Sequence, residues 1–378
     1  MILFHPQALH ICIKRSLKLD QARSLQIIEL SGSPQERGRR HGAALAREIR
    51  LLRRAMLSYL ARVSFYVGAL PFYGLMQILS RSFWPLIPGP LRQEMTALAA
   101  GANLGLGTVL LLNVIDDLFN SGPKCSALAV GENRTESGAY LMGRNLDYPL
   151  FTDVLVNLQT LFIMALGQRQ SLASLAWPGY VGVCTGMNGA GVALAQLSAM
   201  SRERTLRGVP AALRFRTALE EGETVEAVAA RILATPATIG NSVMLCGPRA
   251  AAVLELSAHR GAIRLPAGGV LTATNHYQSR EMAPLKGAFP SPPPYTCLEP
   301  YHFTEDYSRA RDLRLRQLVS GSGVEPKTMQ GILADPNIAN AGTVGSTIFF
   351  PDKLTMWVAQ GKRPPVNRGP FQKIEVWQ

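Results

Sequence analysis

CSALAV (125–130), GENRTESG (131–138) and AYLMGRNLDYP (139–149) decide how this chain is read. The outer pieces are apolar runs of strand length. The middle piece is polar and carries a glycine at each end, so the three together predict an antiparallel hairpin. A thiol opens the first strand, and the second presents Arg144, Asn145 and Asp147. Cysteine is a strong nucleophile near neutral pH when something lowers its pKa or takes its proton. Two readings of Cys125 stand side by side: a nucleophile with its orienting groups, or a buried cysteine that begins a core strand.

Outward from the hairpin, the N-terminal side is helical in pattern. In SPQERGRRHGAALAREIRLLRRAMLSYLARV (33–63), Ser33 and Glu36 form a capping-box signature. Leu45, Ile49, Leu52, Met56 and Leu60 then recur at helical spacing. Residues 88–105 and 109–119 read as two further helices. On the C-terminal side the reading is strands at 154–166, 171–177 and 191–198, then helices at 210–222 and 224–235. SVMLCG, AAVLELS and VLTATNHY read as strands, the proline-rich 288–301 as an irregular loop, and 305–319 and 326–334 as helices. TVGSTIFFP and LTMWVAQG close the chain as strands. Helices and consecutive short strands in this order predict an α+β fold, with helices layered on antiparallel sheets.

The composition narrows the function classes. The chain has 378 residues, 47% hydrophobic and 17% charged, with a formal net charge of +13. That balance suits a compact globular protein. The basic residues are scattered and accompany no zinc-finger spacing or RNA-binding aromatic signature, so no nucleic-acid partner is expected. Five cysteines without a CxxC argue against a disulfide framework and for a reducing compartment, hence a cytoplasmic location. The N-terminus lacks the three-part pattern of a signal peptide. VSFYVGALPFYGLMQIL (63–79) is uncharged, but it is short for a bilayer span and is interrupted by Pro71. It predicts apolar helices and a peripheral contact with lipid or a greasy substrate.

Two more segments carry candidate chemistry. GMNGAGVALAQ (186–196) places Asn188 in a glycine-rich turn, and TATNHY (272–277) places Asn275 at a strand end. Either amide suits an oxyanion donor, and either suits an ordinary turn former. His276, beside Asn275, offers a Cys–His alternative, although adjacent strand residues point to opposite faces.

Taken together, these segments resemble the N-terminal-nucleophile (Ntn) cysteine hydrolases, a group that includes choloylglycine hydrolase and penicillin V acylase. They are most similar to the acyl-coenzyme A:6-aminopenicillanic acid acyltransferase branch. The resemblance is carried by ELSGSPQERGRRHGAAL (29–45), Cys125 with GRNLDYP, GMNGAGVALAQ, TATNHY, YSRARDL (307–313) and TVGSTIFFPDKLTMWVAQGKRP (343–364).

The resemblance implies a four-layer αββα sandwich of two antiparallel sheets. It also implies self-cleavage between Lys124 and Cys125, giving a helical segment 1–124 and a core 125–378 that together form one catalytic unit. Cys125 is then the nucleophile, and its freed α-amine, with a reference pKa of about 7.7–8.0, is the base. Arg144 is implied as a pocket arginine and Asp147 as the acid that holds the α-amine. The backbone N–H of Asn188 and the side chain of Asn275 are implied as the oxyanion hole, with Arg309 completing the polar network. The implied reaction is hydrolysis or transfer at a linear amide through a thioester. Its substrate is a small N-acyl amide, acyl-coenzyme A is a conceivable co-substrate, and no metal or dissociable cofactor is needed. The sequence departs from the pattern at Lys124, where glycine is common, and at Gly189-Ala190, where the related turn has Glu-Lys. The rival readings are a catalytically silent member binding lipid or acyl ligands, and a thiol protease using His276.

Overall fold

The computed structural model describes residues 25–63, 68–119, 124–148, 150–167, 170–289, 304–320 and 323–377. Two stacked sheets form its centre. One has eight strands in the order β1 (Gln26–Leu30), β4 (Thr160–Met164), β5 (Leu172–Ala176), β6 (Thr185–Asn188), β7 (Ala193–Ser198), β8 (Asn241–Cys246), β9 (Ala251–Leu256) and β10 (Gly261–Arg264). The other has six, in the order β11 (Val270–Ala273), β2 (Ser126–Val130), β3 (Leu141–Asp147), β12 (Thr343–Phe350), β13 (Thr355–Ala359) and β14 (Phe371–Glu375). Every pairing is antiparallel except β1 with β4, which is parallel.

Alternation along the β2–β3 hairpin creates two cores. On β2, Ala127 and Ala129 face the other sheet and join the main core, together with Cys125 just before the strand. Leu128 and Val130 face outward into a second core. That second core is covered by α9 (Glu305–Leu318) and α10 (Pro326–Leu333), which lie on β11, β2, β3 and β12. Behind the eight-stranded sheet lie α7 (Ala211–Glu221) and α8 (Val225–Ala234). Helix, sheet, sheet and helix therefore stack as a four-layer αββα sandwich.

The N-terminal helices are α1 (Pro34–Ala44), α2 (Ala46–Val63), α3 (Ala69–Ser80), α4 (Gly89–Gly101) and α5 (Leu106–Phe119). The capping box at Ser33 and Glu36 is formed. The helical pattern of 33–63 breaks at Leu45 into α1 and α2.

The ERGRRHG run serves helix packing. A Cβ at Gly38 would lie 2.1 Å from Glu94 O, and one at Gly42 would lie 2.2 Å from Leu98 O, so only glycine lets α1 approach the α4 backbone this closely. Glu94 is buried between Arg37 (3.3 Å) and Arg216 (2.8 Å), and Arg216 also pairs with Glu220 at 2.7 Å.

His41 is fully buried, and its Nε2 accepts the Gly179 N–H at 2.9 Å. Burial, with Arg216 nearby, pushes its pKa down to about 3. A folded-state pKa below the unfolded value gives stability that is complete above about pH 6.5 and lost as pH falls toward 3. Between pH 6.5 and 4.5 this group is expected to remove about 2–3 kcal/mol. Urea titrations over that range should show a flatter acid limb for His41→Gln.

Several sequence readings change. The run 154–166 divides into α6 (Thr152–Leu158) and β4, since an apolar run alone does not distinguish helix from strand. The first third is not wholly helical, because β1 joins the larger sheet. β6, β10 and β14 are further strands. Of 63–79, Val63 ends α2 and residues 69–79 lie in α3, which leaves Leu70, Leu75 and Ile78 exposed. No helix among the described residues is long and apolar enough to cross a membrane. Cys12, Cys297 and most of 288–301 lie outside the described residues.

Candidate active site

The site forms where the β2–β3 hairpin meets the β6–β7 hairpin of the facing sheet. Arg144 lies opposite Ala127 in the β2–β3 register. Its neighbours on the same face, Met142 and Leu146, belong to the inter-sheet core. Arg144 is therefore directed between the sheets, toward the side on which Cys125 lies. Its Nη2 donates to Cys125 Sγ at 3.0 Å and to Gln196 O at 3.2 Å. Its Nη1 donates to Cys184 O at 2.6 Å and to Thr185 Oγ1.

A second arginine arrives from the opposite side. Arg311 of α9 donates through Nη1 to Cys125 O at 2.8 Å and to Ser126 Oγ at 2.9 Å, and through Nη2 to Asn275 Oδ1 at 2.7 Å. It also stands 3.6 Å from Asp147 Oδ2. The Asp147 carboxylate accepts from Thr343 Oγ1 at 2.6 Å and Asn340 Nδ2 at 2.9 Å, and its backbone carbonyl accepts the Lys124 N–H at 2.7 Å. Arg144 thus holds the sulfur from the inter-sheet face, while Arg311 holds the backbone from the helical face.

Electrostatics follow from burial. Cys125 is fully buried, and desolvation raises its thiol pKa against the opposing pull of Arg144. In the continuous chain the thiol is therefore protonated at neutral pH. Burial likewise raises Asp147 to about 6, with Arg311 and the Thr343 and Asn340 hydrogen bonds acting the other way. Cys184 is pushed to about 11 by burial.

Of the residues expected from sequence, Cys125, Arg144, Asp147 and Asn275 come together. Asn275 is held by Arg311 and by Ser308 Oγ, which accepts its backbone N–H at 2.8 Å, and its Nδ2 donates to Ser198 O at 2.7 Å.

Asn188 does not join them. Its backbone N–H is bonded to Val192 O at 3.1 Å, and its Nδ2 to Leu219 O and Gly222 O. It closes the turn end of the β6–β7 hairpin, whereas Arg144 grips Cys184, Thr185 and Gln196 at the other end. Three residue steps, from Thr185 to Asn188, separate the two ends by roughly 10 Å.

Arg309 is also placed elsewhere. Its side chain is 55% exposed and pairs with Glu305 on its own helix. Arg311 holds the position expected for it. The signal was available in the sequence: 311, 315 and 319 follow one another by four, and Leu315 and Val319 mark the buried stripe of α9. His276 uses Nδ1 toward Ser308 Oγ at 2.9 Å and Thr274 Oγ1 at 3.1 Å, and burial lowers its pKa to about 4.

An apolar cavity lies beside Cys184 and Gln196, which Arg144 grips, with about 690 Å³ of empty space including its open mouth. Tyr148, Phe151 and Trp177 line it. No described residue of 63–79 does; Leu52 and Met56 of α2 take that part. Its floor reaches Cys184 and Gln196, whose carbonyls Arg144 holds. Asp116 is the carboxylate in its wall, accepts Tyr148 OH at 3.0 Å, and is raised by burial to about 6. Among the described residues no group of three or more His, Cys, Asp or Glu is placed to hold a metal ion.

Several known proteins are similar to this chain. An uncharacterized protein of Archaeoglobus fulgidus is 26% identical over 194 residues, which is 44% of this chain and 32% of that protein. The chain thus spans about a third of that relative's length. Among solved structures, the Caenorhabditis elegans N-acylethanolamine-hydrolyzing acid amidase ortholog is 18% identical, with a TM-score of 0.44 over 60% of this chain and 93% of that one. A mutant conjugated bile acid hydrolase from Clostridium perfringens is 14% identical, with a TM-score of 0.45 over 66% and 92%. Penicillin V acylase from Agrobacterium tumefaciens is 14% identical, with a TM-score of 0.40 over 64% and 84%. The family match begins just after Cys125 and includes Arg144, Asp147, Asn275 and Arg311: residues 133–318 of this chain match the acyl-coenzyme A:6-aminopenicillanic acid acyl-transferase family.

Proposed function

We propose that the chain is an Ntn amidohydrolase or acyltransferase that cuts itself between Lys124 and Cys125 and then acts on linear N-acyl amides through a Cys125 thioester. The observation that carries this reading is the Cys125 thiol, 3.0 Å from an Arg144 that also grips Cys184 and Gln196, two residues lining an apolar cavity. An acyl chain fits such a cavity, and an arginine beside sulfur favours the thiolate.

In the cut enzyme the Cys125 α-amine is the base, and Asp147, with Arg311, fixes its surroundings. The amine takes the thiol proton, sulfur attacks the acyl carbonyl, and Asn275 donates to the oxyanion. The proton returns to the leaving amine as the thioester forms. Water or a second amine then takes the acyl group. In the transferase version, acyl-coenzyme A supplies the acyl group to the same sulfur.

Intact-mass measurement under denaturing conditions tests the reading. Wild-type protein should appear as two fragments meeting at Lys124/Cys125. A panel of N-acyl amides, quenched in acid, should add one acyl mass to the fragment that begins at Cys125. An uncut chain that takes up no acyl group from any panel member would refute the proposal.

A further inference from the structure

The cavity beside Cys184 and Gln196 is apolar with one marked exception. One face of α5 enters its wall as Leu112, Ile115 and Asp116, spaced as neighbours on a helix surface. A carboxylate therefore stands where leucine or isoleucine would pack as well. The chain carries 39 lysines and arginines, yet none is among the described residues that line this cavity. The one formal charge in the lining is negative.

Asp116 differs from its neighbour Asp117. Asp117 is buried and ties elements together: it accepts the Ala211 N–H at 2.9 Å and a hydrogen bond from Thr238 Oγ1. Asp116 is only partly buried and faces the cavity. Among the described residues its carboxylate accepts one hydrogen bond, from Tyr148 OH to Oδ1 at 3.0 Å, and enters no ion pair. A carboxylate so placed in apolar surroundings costs stability, and an apolar side chain of similar size would not. Aromatic surface lies around it. The Tyr148 and Trp177 rings have centroids 6.5 Å apart, and Phe151 adds a third ring. The Trp177 N–H is already given to Leu155 O at 2.9 Å, so that residue offers the cavity its ring. A carboxylate with an unused oxygen beside aromatic rings is a setting that favours a cation.

We propose that the cavity is a site for an ammonium paired with Asp116, and that the acyl groups this chain releases or transfers carry one. This rests on the acyl-enzyme reading above and narrows its substrates to amides of amino-bearing aliphatic acids. A plain alkyl chain of the same length would fill the space but leave the carboxylate covered and unpaired, which the site disfavours.

The carboxylate acts in its ionised form. Burial raises its pKa to about 6, while the Tyr148 hydrogen bond and then Lys124 pull it down. The other titratable groups that face it are Asp117 on its own helix and Tyr180 and Cys184 across the cavity. Asp116 is thus charged above about pH 6 and neutral below it, so preference for an ammonium should grow between about pH 5 and 7 and then level off. A ratio of two substrates that differ only in the end group cancels the titration of the catalytic groups, Asp147 among them.

The test uses matched amides with 7-amino-4-methylcoumarin as the common leaving amine. In 6-aminohexanoyl against heptanoyl, and in 4-aminobutanoyl against pentanoyl, an ammonium replaces a methyl group. Near pH 7.5 the wild type should favour the ammonium member of at least one pair by about 10- to 100-fold in kcat/KM, the scale of a hydrogen bond to a charged group. Asp116→Asn should bring the ratio to within about threefold of one, and Asp116→Leu should reverse it. Circular dichroism and thermal melting establish that each variant folds, and the leucine variant should melt higher than wild type. A second arm needs no turnover. Calorimetry should show hexylammonium binding to the wild type about tenfold or more tightly than 1-hexanol, with the difference lost in Asp116→Asn.

Turnover of both members of every pair at similar rates in the wild type would overturn the proposal alone. So would an ammonium preference that persists in the asparagine and leucine variants, or one that appears only when the ammonium is moved to the leaving amine. If no amide acylates Cys125, the amidase reading fails. Binding of hexylammonium that depends on Asp116 would then keep the cation site, and equal binding of the two probes would overturn that as well.

Discussion

Cys125→Ala is expected to give a single uncut chain and to lower amide turnover by about 10⁴-fold or more, the scale on which a lost nucleophile acts. Sulfur is required twice in the proposal, once against the Lys124 carbonyl and once against the substrate, so one substitution removes both. The fold should survive, because the side chain is one of many in the main core and alanine leaves only a small gap. Cys125→Ser separates the steps: a hydroxyl has the geometry but lacks the acidity, so it should cut slowly and turn over more slowly still. Intact mass and an N-acyl amide assay, run side by side, read both. Turnover by an alanine variant at the wild-type rate would remove Cys125 from the mechanism.

Arg311→Met is expected to have the next largest effect, and on stability as well as activity. The guanidinium bonds Cys125 O, Ser126 Oγ and Asn275 Oδ1 and faces Asp147 at 3.6 Å, all in buried surroundings. Its removal leaves Asp147 without its buried counter-charge and Asn275 without its anchor. Breaking a buried pair in this way costs about 3–5 kcal/mol. Self-cleavage and turnover should fall by about 10²-fold or more, as when an oxyanion donor is misplaced. Arg311→Lys should recover part of the stability and little of the activity, because an ammonium cannot span three acceptors as the planar fork does. Arg309→Ala supplies the contrast. Its exposed pair with Glu305 is worth about 0.3–0.5 kcal/mol, and activity should not change. Denaturant melts and rate measurements on the three variants decide the matter. Equal losses in Arg309→Ala and Arg311→Met would show that the polar network runs through the exposed face of α9.

Much of this was legible in the residues. The change from helical to alternating period at Cys125, the polar turn at 131–138 and the capping box at Ser33 are local signals, and local backbone preference with side-chain burial is enough to form those elements. The thiol, Arg144 and Asp147 share one hairpin, so their proximity follows from sequence once the hairpin is recognised. β10 and β14 escaped notice because edge strands bury few side chains and carry a weak pattern. The run 154–166 misled because its apolar residues satisfy a short helix and a strand alike.

Tertiary structure alone decided the rest. The choice of Arg311 over Arg309 depends on which face of α9 rests on the smaller sheet. The distance of Asn188 from the thiol depends on which end of the β6–β7 hairpin meets β2 and β3. The burial of Lys124 beside Phe289, from a stretch some 160 residues farther along the chain, depends on how that stretch returns to the site. A sequence states which side chains share a helix face or a strand face. It does not state which faces of distant elements will meet, because that is settled by the packing of the whole sandwich.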